Sequence, residues 1–276
     1  MVFAPITVIS ALLYYFGFIR ERAFWAHFGV DLGTVGFSST DYILRSPGTF
    51  FAPLAGLVGL ALVALLVHQG FVLWITNPRR SRRWAVVTVS SLAITACGFL
   101  IIGLLSVAFG SLQLPVLGPV LLGVGAGLLE YAIVTARMTQ VTRPGLTDLL
   151  FKQAAVYSRR TLIIALVVGA MFAAIADLAN QQGTRAATAI SGTLPIQPKV
   201  IVYSRLLLQL SGTGVAMVPL EPTNTAYAYR YNGLRLLLHN GDRWIIVPAG
   251  WTPKSGDTVI ILKDSEDVRV DLAPSG

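Results

Sequence analysis

The chain has 276 residues with a net charge of +8. It is 54% hydrophobic, only 12% charged, and has a mean hydropathy of +0.68. Soluble domains carry about twice that charge fraction, so a wholly soluble protein is excluded. The excess positive charge does not indicate a nucleic-acid partner, because nine of the 21 basic residues fall in two short stretches: Arg79, Arg80, Arg82, Arg83, and Arg137, Arg143, Lys152, Arg159, Arg160. That is the bias of cytoplasmic membrane loops.

In chain order, five spanning helices are predicted, over 2–19, 52–76, 84–106, 116–136 and 161–179. A hydrocarbon core of ~30 Å needs about 20 apolar residues as helix. Residues 47–136 carry only five charged side chains, four of them the Arg79–Arg83 cluster. The first run lacks a basic n-region and is followed by Arg20-Glu21-Arg22 rather than a small-residue cleavage signal, so it reads as a retained helix. If it is interfacial instead, four spans remain. Residues 23–46 mix Phe24, Trp25, Phe28, Phe37 and Tyr42 with Asp31, Asp41 and Arg45, a mixture suited to the headgroup level. Ser39-Thr40-Asp41 caps a short helix there. Residues 146–160 read as a helix running into the fifth span. Its Lys152, Arg159 and Arg160 either set topology alone or also meet anionic lipid, at about 1 kcal/mol each.

Both basic stretches face the cytoplasm if two spans separate them. The amino terminus is then cytoplasmic, and residues 20–46 and 177–276 lie outside, in a plasma-membrane protein. Residues 180–195, with Asn180, Gly183, Gly192 and Pro195, read as a linker between a helical domain (1–179) and a β domain (196–276).

The pattern after residue 195 is that of strands. Val200–Tyr203 is β-branched and aromatic, Tyr227, Tyr229 and Tyr231 alternate, and Trp244–Val247, Thr258–Leu262 and Asp267–Leu272 follow. Asn232-Gly233 and Asn240-Gly241 are both hairpin signals. The expected fold is therefore an α-helical membrane bundle followed by a small extracytoplasmic all-β domain of five to seven strands, closed as a barrel or sandwich. The single cysteine, Cys97, excludes an intrachain disulfide.

Candidate sites are few. Glu130 is a carboxylate well inside a span, where ionised groups cost several kcal/mol unless paired or hydrated. His68, Gln69, Ser90 and Ser91 fall at a similar depth, about 10 Å from the cytoplasmic boundary at 1.5 Å per residue. This polar belt reads either as a proton- or ion-handling site or as an interhelical clamp, with Ser90, Ser91 or His68 expected beside Glu130. Gly123 and Gly127 form a small-xxx-small pair for close helix packing, within the chain or in a homo-oligomer. Tyr227, Tyr229, Tyr231 and Trp244 form either a glycan- or peptide-binding face or a strand core. No nucleotide loop, metal constellation or nucleophile–base set is present, so neither cofactor nor enzymatic activity is expected. The expected role is to present the β module to an envelope partner or a membrane complex, with an oligomeric proton- or ion-coupled channel using Glu130 as the alternative.

Leu13–Arg20, Phe28-Gly29-Val30-Asp31 and Thr40–Ser46, with a looser likeness around Arg230–Arg235, resemble the opening of a group of uncharacterised actinobacterial multi-pass membrane proteins. That resemblance implies a bacterial plasma-membrane location and no activity.

Overall fold

The structure, a computed structural model, describes residues 3–75, 82–109, 115–139, 153–221 and 226–275. Helices come first: α1 (Phe3–His27), α2 (Leu32–Val35), α3 (Ser39–Arg45), α4 (Pro47–Ile75), α5 (Arg82–Phe109), α6 (Leu117–Met138) and α7 (Gln153–Gly192). Six strands follow: β1 (Lys199–Ser204), β2 (Ala216–Pro219), β3 (Tyr229–Asn240), β4 (Arg243–Pro248), β5 (Ile260–Lys263) and β6 (Val268–Ala273). Among the described residues, four segments are long and apolar enough to cross a membrane: Pro53–Leu73, Arg83–Ala108, Leu117–Met138 and Val156–Gly192. The first helix is not one of them. Arg79, Arg80, Arg143 and Lys152 lie outside the described residues.

The chain divides into two compact units, Gly48–Leu178 and a second made from Met1–Pro47 with Ala179–Gly276. This corrects the expected division. The first 47 residues belong with the sheet, not with the helical bundle.

In the helical unit, α5 and α6 are antiparallel and pack through glycines. A Cβ on Gly103 would meet the Leu122 backbone at 2.6 Å, one on Gly118 the Ser106 Cβ at 2.8 Å, and one on Gly125 the Leu100 nitrogen at 2.8 Å. A Cβ on Gly123 would lie 3.2 Å from that of Ala170 in α7. One on Gly127 would meet nothing within 4 Å. The expected Gly123/Gly127 pair is therefore half right in its contacts, and Gly125 takes the role assigned to Gly127. One helical step of two residues turns the backbone by about 200°, so only one of these two neighbours can face α5.

The other unit is built on α1. Its Gly17 lies against the Tyr42 carbonyl of α3, with no room for a side chain. Glu21, buried at 2% exposure, pairs with Arg20 at 2.6 Å and Arg45 at 3.7 Å. Ser38 and Asp41 form a capping box at the start of α3. The Ser38 hydroxyl, then its backbone amide, hold the Asp41 carboxyl below its ordinary pKa. The end of α7 crosses α1 where Gly183 meets the Arg20 carbonyl. Residues 180–195, expected as a linker, are thus helix to Gly192, followed by a 3-10 turn at Leu194–Ile196. Gly183 marks a close helix crossing rather than a loop.

All strand pairs are antiparallel, in the order β5-β4-β3-β1-β6, with β2 also on β3. The two ends, β5 and β6, are not paired, so the described strands form one open sheet rather than a closed barrel. One edge of β3 is shared: Tyr229–Asn232 pairs with β2, and Leu234–Asn240 with β4. Between these stretches sits Gly233, at φ +80°, packed on the Gly214 carbonyl. The Asn232-Gly233 pair is therefore not the expected hairpin. Its positive φ serves a bulge inside a long strand. Asn240-Gly241 does make a hairpin, since Asn240 pairs with Arg243. Gly241, at φ +58°, occupies the first central position of a two-residue turn.

The sheet separates two apolar clusters. On one side lie Val200, Val202, Tyr231, Leu234 and Ile246. On the other, Ile245, Val247 and Trp251 pack with Trp25, Phe28, Val30, Leu32, Val35 and Tyr42 from the first 47 residues, and with Ala187 and Leu194. Trp25 is 1% exposed. The aromatics expected at the membrane surface are therefore half of a protein core. Polar ties reinforce it: the Asn240 amide donates to the carbonyls of Val35 (3.1 Å) and Gly36 (3.0 Å), and Arg243 donates to that of Thr34.

Candidate functional site

The polar belt of the helical unit divides into two pairs. Glu130 of α6 accepts a bidentate clasp from Arg159 of α7, with Nε to Oε2 at 2.7 Å and a terminal nitrogen to Oε1 at 3.2 Å. Arg160 adds an ion pair at 3.6 Å. The Glu130 and Arg159 side chains are 19% and 17% exposed, while that of Arg160 is 60% exposed. The next residue, Tyr131, reaches the other way: its hydroxyl lies 2.8 Å from His68 Nδ1 of α4, and its ring packs on His68 and Phe71. Two adjacent residues of α6 thus tie α7 and α4.

His68 is brought to the belt, but to Tyr131 rather than to the carboxylate. Ser91 donates to the Thr88 carbonyl of its own helix at 2.9 Å, and Ser90, Ser91 and Gln69 are exposed. None of these four is the hydrogen-bond partner of Glu130. Cα depth along the helices gave no sign of Arg159. A long arginine stem carries its head far from its Cα, and a continuous helix from residue 153 brings that stem to the edge of the span.

The aromatic residues of the sheet separate as well. Tyr231 is 1% exposed, and its hydroxyl accepts the Leu208 amide at 2.9 Å. Tyr229 packs on the same cluster. Trp244 donates to Asp264 at 2.6 Å and stacks on His239 with ring centroids 3.9 Å apart. Only half-buried Tyr227 turns elsewhere, its ring 6.2 Å from that of Tyr203. Tyr231 is core, because residues facing Val200 and Val202 must be apolar or internally satisfied.

The opposite face of β1 carries a feature that the sequence reading missed. The register aligns Val218, Arg230, Tyr203 and Arg269 in one row across β2, β3, β1 and β6. Both guanidinium carbons lie 5.9 Å from the Tyr203 ring centroid. Arg269 is clasped by Asp271 at 2.9 and 3.3 Å. That hydrogen bond, then the carboxylate's charge, holds its pKa above the ordinary value. Arg230 has no carboxylate partner among the described residues, and its Nε is buried without a hydrogen bond. Further along the face Lys199 pairs in register with Arg235, whose Nε is buried in the same way. The available signal was the strict alternation Arg269-Val270-Asp271, which marks a wet face of β6, but pairing partners are not readable from one strand.

Among the described residues, no three His, Cys, Asp or Glu side chains gather as metal ligands would. The chain matches no family model, no curated protein and no solved structure.

Proposed function

We propose that this is a non-enzymatic multi-pass protein of the plasma membrane that holds a β-sheet recognition module outside the cell for an envelope partner or a membrane complex. The observation that carries this reading is the shared core of residues 1–47 and 179–276, in which Trp25, Phe28 and Val35 back Ile245 and Val247. A sheet set on helices in this way is a rigid platform, which suits presentation of a surface. The Glu130 clasp favours a structural tie between helices over a proton carrier, because its oxygens already accept from guanidinium groups. In this reading the four long apolar helices are the spans, residues 1–47 and 179–276 lie on the same outer side, and the basic stretches, facing anionic lipid, fix the cytoplasmic side.

The test is labelling in intact cells. Cys97 is the only native thiol, so a Cys97→Ser, Ser275→Cys chain reports one position. Reaction with a membrane-impermeant maleimide before permeabilisation is the expected outcome. Reaction only afterwards overturns the orientation and the proposal with it.

A further inference from the structure

We infer that the helical unit holds one acyl chain of a phospholipid with an ammonium headgroup, in a groove between α4, α6 and α7. The inference needs that unit to lie in a bilayer, and it is independent of which side faces out. The groove encloses about 300 Å³. It runs from Pro53 to Leu60 on α4, from Val116 to Val124 on α6, and from Leu178 back to Val167 on α7. At 1.5 Å per residue these stretches are about 10–16 Å long. Their directions agree. Helices α4 and α6 run the same way, since the His68–Tyr131 pair keeps the sequence offset that separates Pro53 from Val116. Helices α6 and α7 run opposite ways and meet where a Cβ on Gly123 would lie 3.2 Å from that of Ala170. Pro53, Val116 and Leu178 therefore share one mouth, at the end from which α7 runs on to Gly192.

Size and lining select the chain. Every lining residue is apolar, so water and polar ligands find no partner there. A helix of a second copy, about 10–12 Å across, needs about three times this volume over the same length. Spread along the groove, the volume has a section of about 20 Å², the girth of one alkyl chain. Leu60 and Val120 are exposed along its side, so a chain enters laterally from the lipid. Asp177 selects the headgroup. It stands next to Leu178 at the mouth, seven residues beyond Ala170 and so on the same helical face. It is half-buried and makes no hydrogen bond or ion pair among the described residues. A carboxylate at the edge of hydrocarbon calls for a counter-charge. The ammonium of phosphatidylethanolamine supplies one, and the headgroup of phosphatidylglycerol does not.

The experiment places the full chain in phosphatidylglycerol nanodiscs doped with phosphatidylethanolamine that carries a photoactivatable diazirine midway along one acyl chain. Phosphatidylglycerol with the same labelled chain is the comparison, and crosslinked peptides are mapped by mass spectrometry. Crosslinks of the ethanolamine probe are expected on residues 116–124 and 167–178, about threefold to tenfold above those of the glycerol probe, as one half-exposed charge contact allows. Ala174→Phe, which fills the groove, should lower their yield about tenfold or more. Val168→Phe, on an exposed position at similar depth, should leave it unchanged. Asp177→Asn should bring the two probes to parity. Melting temperatures check that each variant is folded, and Ala174→Leu takes the place of Ala174→Phe if the latter is not. Crosslinks scattered over all exposed helix faces, or unchanged by filling, overturn the groove. Equal yields from the two probes in wild type, or an excess that survives Asp177→Asn, overturn the headgroup. Outside labelling of the Ser275→Cys chain with scattered crosslinks defeats only this inference. Inside labelling with the mapped crosslinks intact defeats the orientation instead.

Discussion

At the scale of single residues, Glu130 shows what identity of partner means. Opposite a serine hydroxyl, a glutamine at position 130 would keep the hydrogen bond. Opposite Arg159 it leaves a largely buried guanidinium without its counter-charge. Glu130→Gln is therefore expected to destabilise the helical unit by about 2–3 kcal/mol, read as a lowered melting temperature in detergent. The exchanged pair Glu130→Arg with Arg159→Glu should recover part of the loss, and equal melting of Glu130→Gln and wild type would refute the clasp. The carboxylate was legible in the sequence because charge is rare in hydrocarbon. Its partner was not, because a side chain several ångströms long decouples the position of a charge from that of its Cα.

At the scale of elements, long apolar helices and alternating strands were legible, whereas the uses of glycine were not. Glycine spacing suggested that Gly123 and Gly127 make the helix contact. The α5–α6 interface instead closes through Gly103, Gly118 and Gly125, and only the neighbouring helix says which of several glycines it touches. Gly125→Ala places a Cβ 2.8 Å from a backbone nitrogen and should cost about 1–3 kcal/mol by overpacking. Gly127→Ala, in open space, should be neutral or slightly stabilising through helix propensity. Thermal unfolding of the two variants side by side decides it, and equal effects would count against this interface. Asn-Gly pairs show the same ambiguity. Positive φ is common to a turn and a bulge, and Gly233 became a bulge because the strand beyond it pairs with β4.

At the scale of the whole molecule, the sequence divided a bundle from a sheet but could not divide the chain correctly. Nothing local in Trp25 or Phe28 distinguishes an aromatic at a membrane surface from one beneath a sheet about 200 residues away. The consequence is testable. Residues 196–276 expressed alone should fail to unfold cooperatively, since each apolar side chain stripped of its cover forfeits about 1.5–3 kcal/mol, and Ile245, Val247 and Trp251 all lose theirs. A sharp two-state melt of that fragment would contradict the shared core. The same arrangement sets a timetable for biogenesis. The ribosome makes one half of the core, then all of residues 48–178, and only then the other half. At roughly 5–20 residues per second, the nascent chain carries an unfinished aromatic surface for on the order of ten seconds or more. Until residues 179–276 have been made, residues 1–47 depend on a chaperone or the lipid surface for shelter, and a chain stalled midway is a natural substrate for quality-control proteolysis.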